Sequence, residues 1–494
     1  MGSIFRIQAI AFLTFGLCIA VNPLFAASLF GQTEDNETTL YTQTATVAQT
    51  EVTQLQQLQL LQGTDDSDHE SARLYLKDID AGGTVTEVSH KTSAWPLTSG
   101  GESCAAAVPQ GGHLKHGVTT LRPFFELKVF GSLNAEMLFA DSRPILPSGV
   151  ILISPNLGKN TRTFEAHSKS TNIGVMGNGP SIGGFQSSGT FVSYLYGEQF
   201  EDDRYGPYIV RAFGSLRDDA LSFSFGLNGD LINPRSPDTL NFNVANLAGN
   251  LGFIRGQFRA ERTVNVAPER QAKFQLALSN PVSTSFADLD RPPLNLLEDN
   301  GWPNVEGRIQ FGFGPAQRTP NGPAQPIEIA VSGLVGELRR TDLPGTPDHL
   351  IGVWALGVDW QIALSDNAGV KGEFFTGQAL GNYNAGILQV DNDNFDPVSS
   401  VGGWIECYYH WNKRLRSHVG YGIDDPDDRT ITDGLIVARP SRNRMIFANL
   451  VWDITPSLEV GFEVSHWATD YVNVTPVDVS NDSMVYHTRV RLKF

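Results

Sequence analysis

From about Pro123 to the last residue, Phe494, apolar and polar side chains alternate with a period of two. In the first such stretch Phe125, Leu127, Val129, Gly131, Leu133, Ala135, Met137 and Phe139 are apolar or small. Between them stand Glu126, Lys128, Ser132, Asn134 and Glu136. Successive side chains of a strand point to opposite faces, so this stretch has one oily and one wet face, as in a sandwich or a barrel. The final stretch repeats the pattern, with Met484, Tyr486, Val490, Leu492 and Phe494 against His487, Arg489, Arg491 and Lys493.

Sixteen candidate strands follow from the alternation, near 123–140, 162–176, 184–198, 206–216, 219–229, 250–262, 270–279 and 304–314, then 325–339, 350–364, 368–380, 401–412, 414–424, 441–453, 456–470 and 483–494. Their connections alternate in length. Tight turns occur at Arg217–Asp219, Ser365–Asn367, Asn412–Lys413 and Thr455–Ser457, while Asp141–Thr161, Asp230–Gly249, Asn280–Pro303, Asn382–Ser400 and Asp425–Pro440 are long and polar. Gly314–Ala324 is the exception, a long connection where a tight turn is due. A sandwich has no reason to sort its loops by parity. A barrel crossing a bilayer does, with short periplasmic turns and long extracellular loops. The expected fold is therefore all-β, an antiparallel up-and-down transmembrane barrel of about 16 strands over 122–494. Aromatic residues near strand ends (Trp302, Trp354, Trp360, Trp404, Tyr408, Tyr409, Trp411, Trp452, Trp467) suit two membrane interfaces, although aromatics also fill ordinary sheet cores.

The preceding chain is different material. Residues 1–26 read as a secretory signal, with Arg6, an apolar core from Ile10 to Val21, and the exit Leu24–Ala27. Residues 27–121 carry 12 acidic against 4 basic side chains. Within them, Tyr41–Gln62 lacks Gly and Pro and places Val52, Leu55, Leu58 and Leu61 at every third position. That predicts a short amphipathic helix, either a coiled coil that helps assemble an oligomer or a solvated spacer. Asp65–Gly117 reads as polar linker.

Composition narrows the function. With 494 residues, three cysteines and a formal charge of −17, the chain is neither a disulfide scaffold nor a general nucleic-acid binder. After the leader, no apolar run reaches the roughly 20 residues of a spanning helix. Cys18 falls in the leader; Cys104 and Cys407 would meet an oxidising compartment, with their pairing left open. Cys407 shares its face with Ile405, Tyr409 and Trp411, which suggests packing against lipid or a neighbouring subunit. Catalytic readings are poor. His113 and His116 lie in a Gly-flanked loop without a third ligand, and neither a Gly-x-Ser-x-Gly elbow nor a phosphate-binding Gly-Lys-Ser/Thr occurs. No enzyme activity and no cofactor are expected.

If the oily faces meet lipid, the wet faces line a lumen. Parity places Lys128, Glu136, Arg211, Arg255, Arg259, Lys273, Glu306, Arg308, Gln310, His487, Arg489 and Arg491 inside. Of 36 basic residues 26 are Arg, a bias suited to bidentate contact with carboxylates. Such a set would favour anions, or it would pair with acidic groups on inward loops and brace the barrel. The segment Asp230–Phe242, stiffened by Pro234 and Pro237 and carrying Arg235 among acidic residues, would either fold into the lumen or cap its rim.

Several stretches resemble the DcaP-like trimeric outer-membrane porins: Pro207–Gly214, Leu221–Gly229, Pro237–Phe242, Leu251–Arg255, Gly377–Tyr383 and Gly402–Trp411. The likeness covers roughly 124–494, and the helix at 41–62 is similar to that family's short coiled coil. The resemblance implies a sixteen-stranded trimeric porin passing small, often dicarboxylic, anions through an arginine-lined constriction. It carries Arg211 and Arg255 over as constriction residues and makes Asp230–Phe242 the narrowing loop. This chain departs from the family at Gly226–Leu231, where a Trp and a Ser usually follow Gly-Gln. The expected pore-lining set is thus Arg211, Arg255, Arg259, Arg308, Arg235 and Asp230, in a homotrimer embedded in outer-membrane lipid. A barrel with a plugged lumen, acting as an enzyme or as a surface-binding or structural protein, is the alternative.

Overall fold

A computed structural model describes residues 126–494 apart from 147, 156–160, 197–204, 283–296, 320–321, 341–347, 393, 432–438 and 473–478. The leader, Cys104 and the helix expected at 41–62 lie outside the described residues. The strands are β1 (Glu126–Ala140), β2 (Thr163–His167, resuming as Asn172–Ile182), β3 (Phe185–Tyr194), β4 (Tyr208–Arg217), β5 (Leu221–Gly229), β6 (Ile254–Ala267), β7 (Arg270–Ser279) and β8 (Asn304–Phe313). They continue as β9 (Ile327–Arg340), β10 (His349–Ala363), β11 (Ala368–Gln378), β12 (Ser399–His410), β13 (Leu415–Pro426), β14 (Arg439–Asp453), β15 (Leu458–Val472) and β16 (Val479–Lys493). Each pairs antiparallel with its successor, and β16 closes on β1 from Ser132↔Lys493 to Ala140↔Val485. The sheet has eighteen segments but sixteen barrel strands, because β2 is interrupted and Leu297–Asp299 adds a short piece beside β9. Closure leaves no sheet edge for lipid to meet.

The expected strands map onto these sixteen with end shifts of a few residues. The largest shift is in β2, which runs to Ile182 and turns tightly into β3 at Gly183 and Gly184, both with positive φ. Two consecutive left-handed residues suit the two-residue hairpin turn that matches strand twist. The long exception between β8 and β9 contains its own small hairpin, Gln317–Thr319 against Gly322–Ala324.

Parity sets the two faces as expected. Leu133, Met137, Phe258, Leu276, Val331, Leu356, Phe462 and Val490 are exposed on the outside, where they form an apolar belt. Glu136, Arg255, Glu306, Asp359, Glu406 and Glu463 are buried on the inside. Trp354, Tyr409, Trp411 and Trp452 face outward, but Trp404, Tyr408 and Trp467 share the inner parity of Glu406 and Glu463, so these three are not interface aromatics. Trp404 and Trp467 are fully covered because three long connections (141–155, 230–253 and 379–398) fold into the lumen and pack there. Ile232, Leu251, Leu380 and Tyr383 from two of these connections form one apolar cluster with the inner-face residues Leu334, Leu338, Val353 and Phe375.

Candidate functional site: the lumen and its inward loop

The connection 230–253 is held at its base by Asp230. The Asp230 amide donates to the Phe253 carbonyl, and the Phe253 amide returns a bond to Asp230 Oδ2 (2.8 Å). Arg255, on the inner face of β6, grips the same carboxylate with two nitrogens at 2.6 and 3.1 Å. Its remaining N–H groups donate to the carbonyls of Asn280, Pro281 and Asn382, and its guanidinium lies 3.7 Å from the Tyr383 ring centroid. One buried arginine therefore ties three long connections together.

From there the loop travels around the inner wall, meeting a carboxylate at each stop. Leu231 N–H donates to Glu306 of β8 (2.6 Å). Arg235 donates to Asp359 and Gln361 of β10 and to Glu328 of β9, at 2.7, 2.8 and 2.9 Å. Arg308 of β8 holds the other side of Asp359, with nitrogens at 2.8 and 2.9 Å. Further on, Lys371 of β11 donates to Asp238 (2.8 Å), and Thr239 and Leu240 donate to Glu463 of β15 (2.6 and 2.7 Å). Asn241 reaches the Val150 carbonyl of the first inward connection (2.6 Å), and Leu251 N–H returns to Glu373 of β11 (2.8 Å). Backbone amides buried away from water need such partners, so the wall acids fix the loop's path. Gly249, at φ 103°, passes so close to the Gly403 carbonyl that a Cβ would sit 2.1 Å from it. Only glycine fits there.

All six residues singled out from sequence reach the lumen, and they differ in accessibility. Asp230, Arg255 and Arg308 are buried, while Arg235 retains 13% side-chain exposure. Arg259 is half-buried, bonded to Gln257 and the Gly229 carbonyl and 3.7 Å from Glu261. Arg211 lies on the inner face of β4, opposite Val192, and is half-buried. The structure joins Asp230 with Arg255, and Arg235 with Arg308 through Asp359; Arg211 and Arg259 stand apart from these pairs. Sequence reasoning missed the wall acids Asp359, Glu373, Glu406 and Glu463, and also the inward fold of 379–398. The apolar run Ala385–Leu388 inside a supposed surface loop was the available signal. Among the described residues, Asp238, Glu406 and His418 are one group whose oxygen and nitrogen ligands lie within 4.8 Å of one another. Lys371 Nζ sits among them, 2.8 Å from Asp238 and 3.7 Å from Glu406, and supplies the positive charge a metal ion would bring.

A closed sixteen-stranded barrel with an apolar exterior, a charged interior and an inward third long loop is a transmembrane β-barrel fold. Among solved structures, the outer membrane channel DcaP of Acinetobacter baumannii matches with TM-score 0.60 at 15% identity, covering 76% of this chain and 100% of that one. The anion-selective porin of Comamonas acidovorans (TM-score 0.47, 9% identity, 75% and 100% covered) and Salmonella typhi OmpF in complex with daunomycin (0.48, 11%, 75% and 98%) also match. No family model and no curated protein matches the sequence. The chain thus shares the fold of DcaP, and its place is the outer membrane.

Proposed function

We propose that the chain is an outer-membrane porin for passive diffusion of small hydrophilic solutes, with a preference for anions such as dicarboxylates. The observation that carries this reading is the inward loop 230–253, pinned to wall carboxylates inside a closed, charged barrel. A loop so held narrows a lumen to a fixed width, which is how a channel sets a size limit. Within this reading Asp230, Arg255 and Arg308 hold the constriction in place, while Arg211, Arg235 and Arg259, which keep some exposure, face the solute path. Three barrels would associate in the membrane, helped by residues 41–62. The test is single-channel conductance of refolded protein in a planar bilayer, with the reversal potential under a salt gradient. Triple stepwise openings with an anion-side reversal are the expected result; a cation-side reversal removes the anion preference. Deleting 41–62 should lower the heat stability of the oligomer, and an unchanged oligomer mass and melting would remove that role.

One observation favours a second reading. The inward connections pack an apolar cluster inside the lumen, with Ile232, Leu380, Tyr383 and Ala385 fully buried. A lumen filled to this extent also suits a plugged barrel with a structural or surface-binding role. Absence of conductance from protein shown to be folded would favour it.

A further inference from the structure

The stretch 379–388 of the second buried connection holds Ala379, Asn384, Ile387 and Leu388 in left-handed backbone, at φ 57°, 55°, 48° and 66°. That conformation crowds the Cβ of an L-residue, and a β-branched side chain such as that of Ile387 suffers most. A polar cost falls in the same place. Asn384 is 1% exposed, yet neither its Oδ1 nor its Nδ2 finds a hydrogen-bond partner among the described residues. Backbone strain and buried unpaired polar groups persist only where the surroundings impose them, and such strain gathers at switch regions.

The surroundings grip this segment unevenly. On one side Arg255 donates to the Asn382 carbonyl (2.8 Å) and Asn304 of β8 to the Tyr383 hydroxyl (2.7 Å). On the other, Gln389 donates to the Pro440 carbonyl (2.8 Å) and Arg340 of β9 to Asp391 (2.6 Å). Between them, from Asn384 to Leu388, Asp424 of β13 is the only wall side chain that hydrogen-bonds the backbone among the described residues. Its Oδ2 accepts the Ile387 amide (3.0 Å) and its Oδ1 the Ser400 hydroxyl (2.7 Å). The same five residues seat the inward loop 230–253. The Asn384 carbonyl accepts the Leu247 amide (3.3 Å), and Ile387 and Leu388 share an apolar cluster with Leu247 and Phe253. That loop has left-handed residues of its own, Val244, Ala245 and Leu247, but Glu463 and Glu373 hold its Leu240 and Leu251 amides on either side of them.

We propose that Asn384–Leu388 is a displaceable flap latched by Asp424, whose release unseats the inward loop and changes the width of the lumen. Displacement relieves the left-handed crowding and gives the Asn384 amide water to bond. Against this stand the Asp424 latch and the burial of Ile387 and Leu388, which would be exposed. Opposed terms of this kind give two discrete arrangements, not a gradual loosening. Asp424 is thus a positioning residue, acting on the inward loop only through the flap. The effect on flow rests on the porin reading, but the flap's motion is measurable without transport.

The test is amide hydrogen exchange of the assembled full chain in detergent at one fixed pH, read by mass spectrometry, beside single-channel recording of the same variants. Asp424→Ala should speed exchange over 384–388 about tenfold or more, with β11 and β13 at their wild-type rates, and should add conductance steps. Asp424→Asn, which can accept from Ile387 and donate to Ser400, should restore slow exchange and wild-type current. Ala379→Gly/Asn384→Gly, free of the Cβ crowding, should exchange more slowly than the wild type. Unchanged exchange in Asp424→Ala overturns the latch, as does a loss of protection that spreads through β11 and β13. If Asp424→Ala does not assemble, the glycine pair decides alone, and exchange as fast as the wild type or faster overturns the flap. The expected exchange pattern in protein that carries no current upholds the flap and removes the porin reading. Conducting protein with unchanged exchange does the reverse.

Discussion

At the scale of single residues, the charged side chains of the lumen act first as fasteners. Arg255 is the clearest case, because its guanidinium satisfies Asp230 and three loop carbonyls at once. Arg255→Ala leaves Asp230 buried without its cation, a loss of about 3–5 kcal/mol when one partner of a buried pair is removed. The expected outcome is a lower unfolding midpoint in urea and faster proteolysis within 230–253; an unchanged midpoint and cleavage rate would contradict the fastening role. Outside the membrane-spanning strands, the turn residue Asp218 accepts from the amides of Leu221 and Ala220. Those bonds, that from Leu221 foremost, hold its carboxyl below the usual aspartate range. A depressed folded-state pKa gives stabilisation that is present above the unfolded value near 3.9 and lost as pH falls through the folded one. The protection of the Ala220 and Leu221 amides against hydrogen exchange, taken relative to their intrinsic rates at each pH, should therefore fall only in acid, and Asp218→Asn should flatten that dependence.

At the scale of elements, the inward loop 230–253 is the part whose path decides, on the porin reading, how wide the lumen is. It has no strand of its own and is shaped by wall carboxylates on β8, β10, β11 and β15. Replacing 231–252 by a short Gly-Ser linker should raise single-channel conductance several-fold, since wall side chains alone would then set the width. Conductance equal to the wild type would show that another connection limits flow. Gly249 tests the seating more finely. Gly249→Val meets both an unfavourable φ and the Gly403 carbonyl, costing on the order of 1–3 kcal/mol, so cross-linking between the loop and β12 should fall while barrel assembly persists.

At the scale of the whole molecule, the barrel is turned inside out relative to a soluble protein, with its apolar belt outward and its ion pairs inward. Leu356, halfway along β10, is exposed on that belt. Leu356→Arg should cost about 2–4 kcal/mol in lipid vesicles. An arginine at the neighbouring inner position Gly357 would instead clash with Asn233 of the loop, since even a Cβ there would lie 2.2 Å from its Oδ1. Comparable folding free energies for Leu356→Arg and wild type would contradict the placement of this face in lipid.

Much of this was legible along the chain, because period-two alternation is a local property that strand geometry enforces residue by residue. The sixteen strands, the parity of the faces and the sorting of short and long connections were therefore all readable from sequence. So was the inner position of Arg255, Gln257 and Arg259, whose spacing alone puts them on one face. Only the tertiary structure decided that 141–155 and 379–398 also fold inward, and that Trp404 and Trp467, inner by parity, are covered there. It likewise decided which arginine has a partner. Asp359 lies 51 positions from Arg308 and 124 from Arg235, and a chain's local pattern carries no record of which distant side chains closure brings face to face.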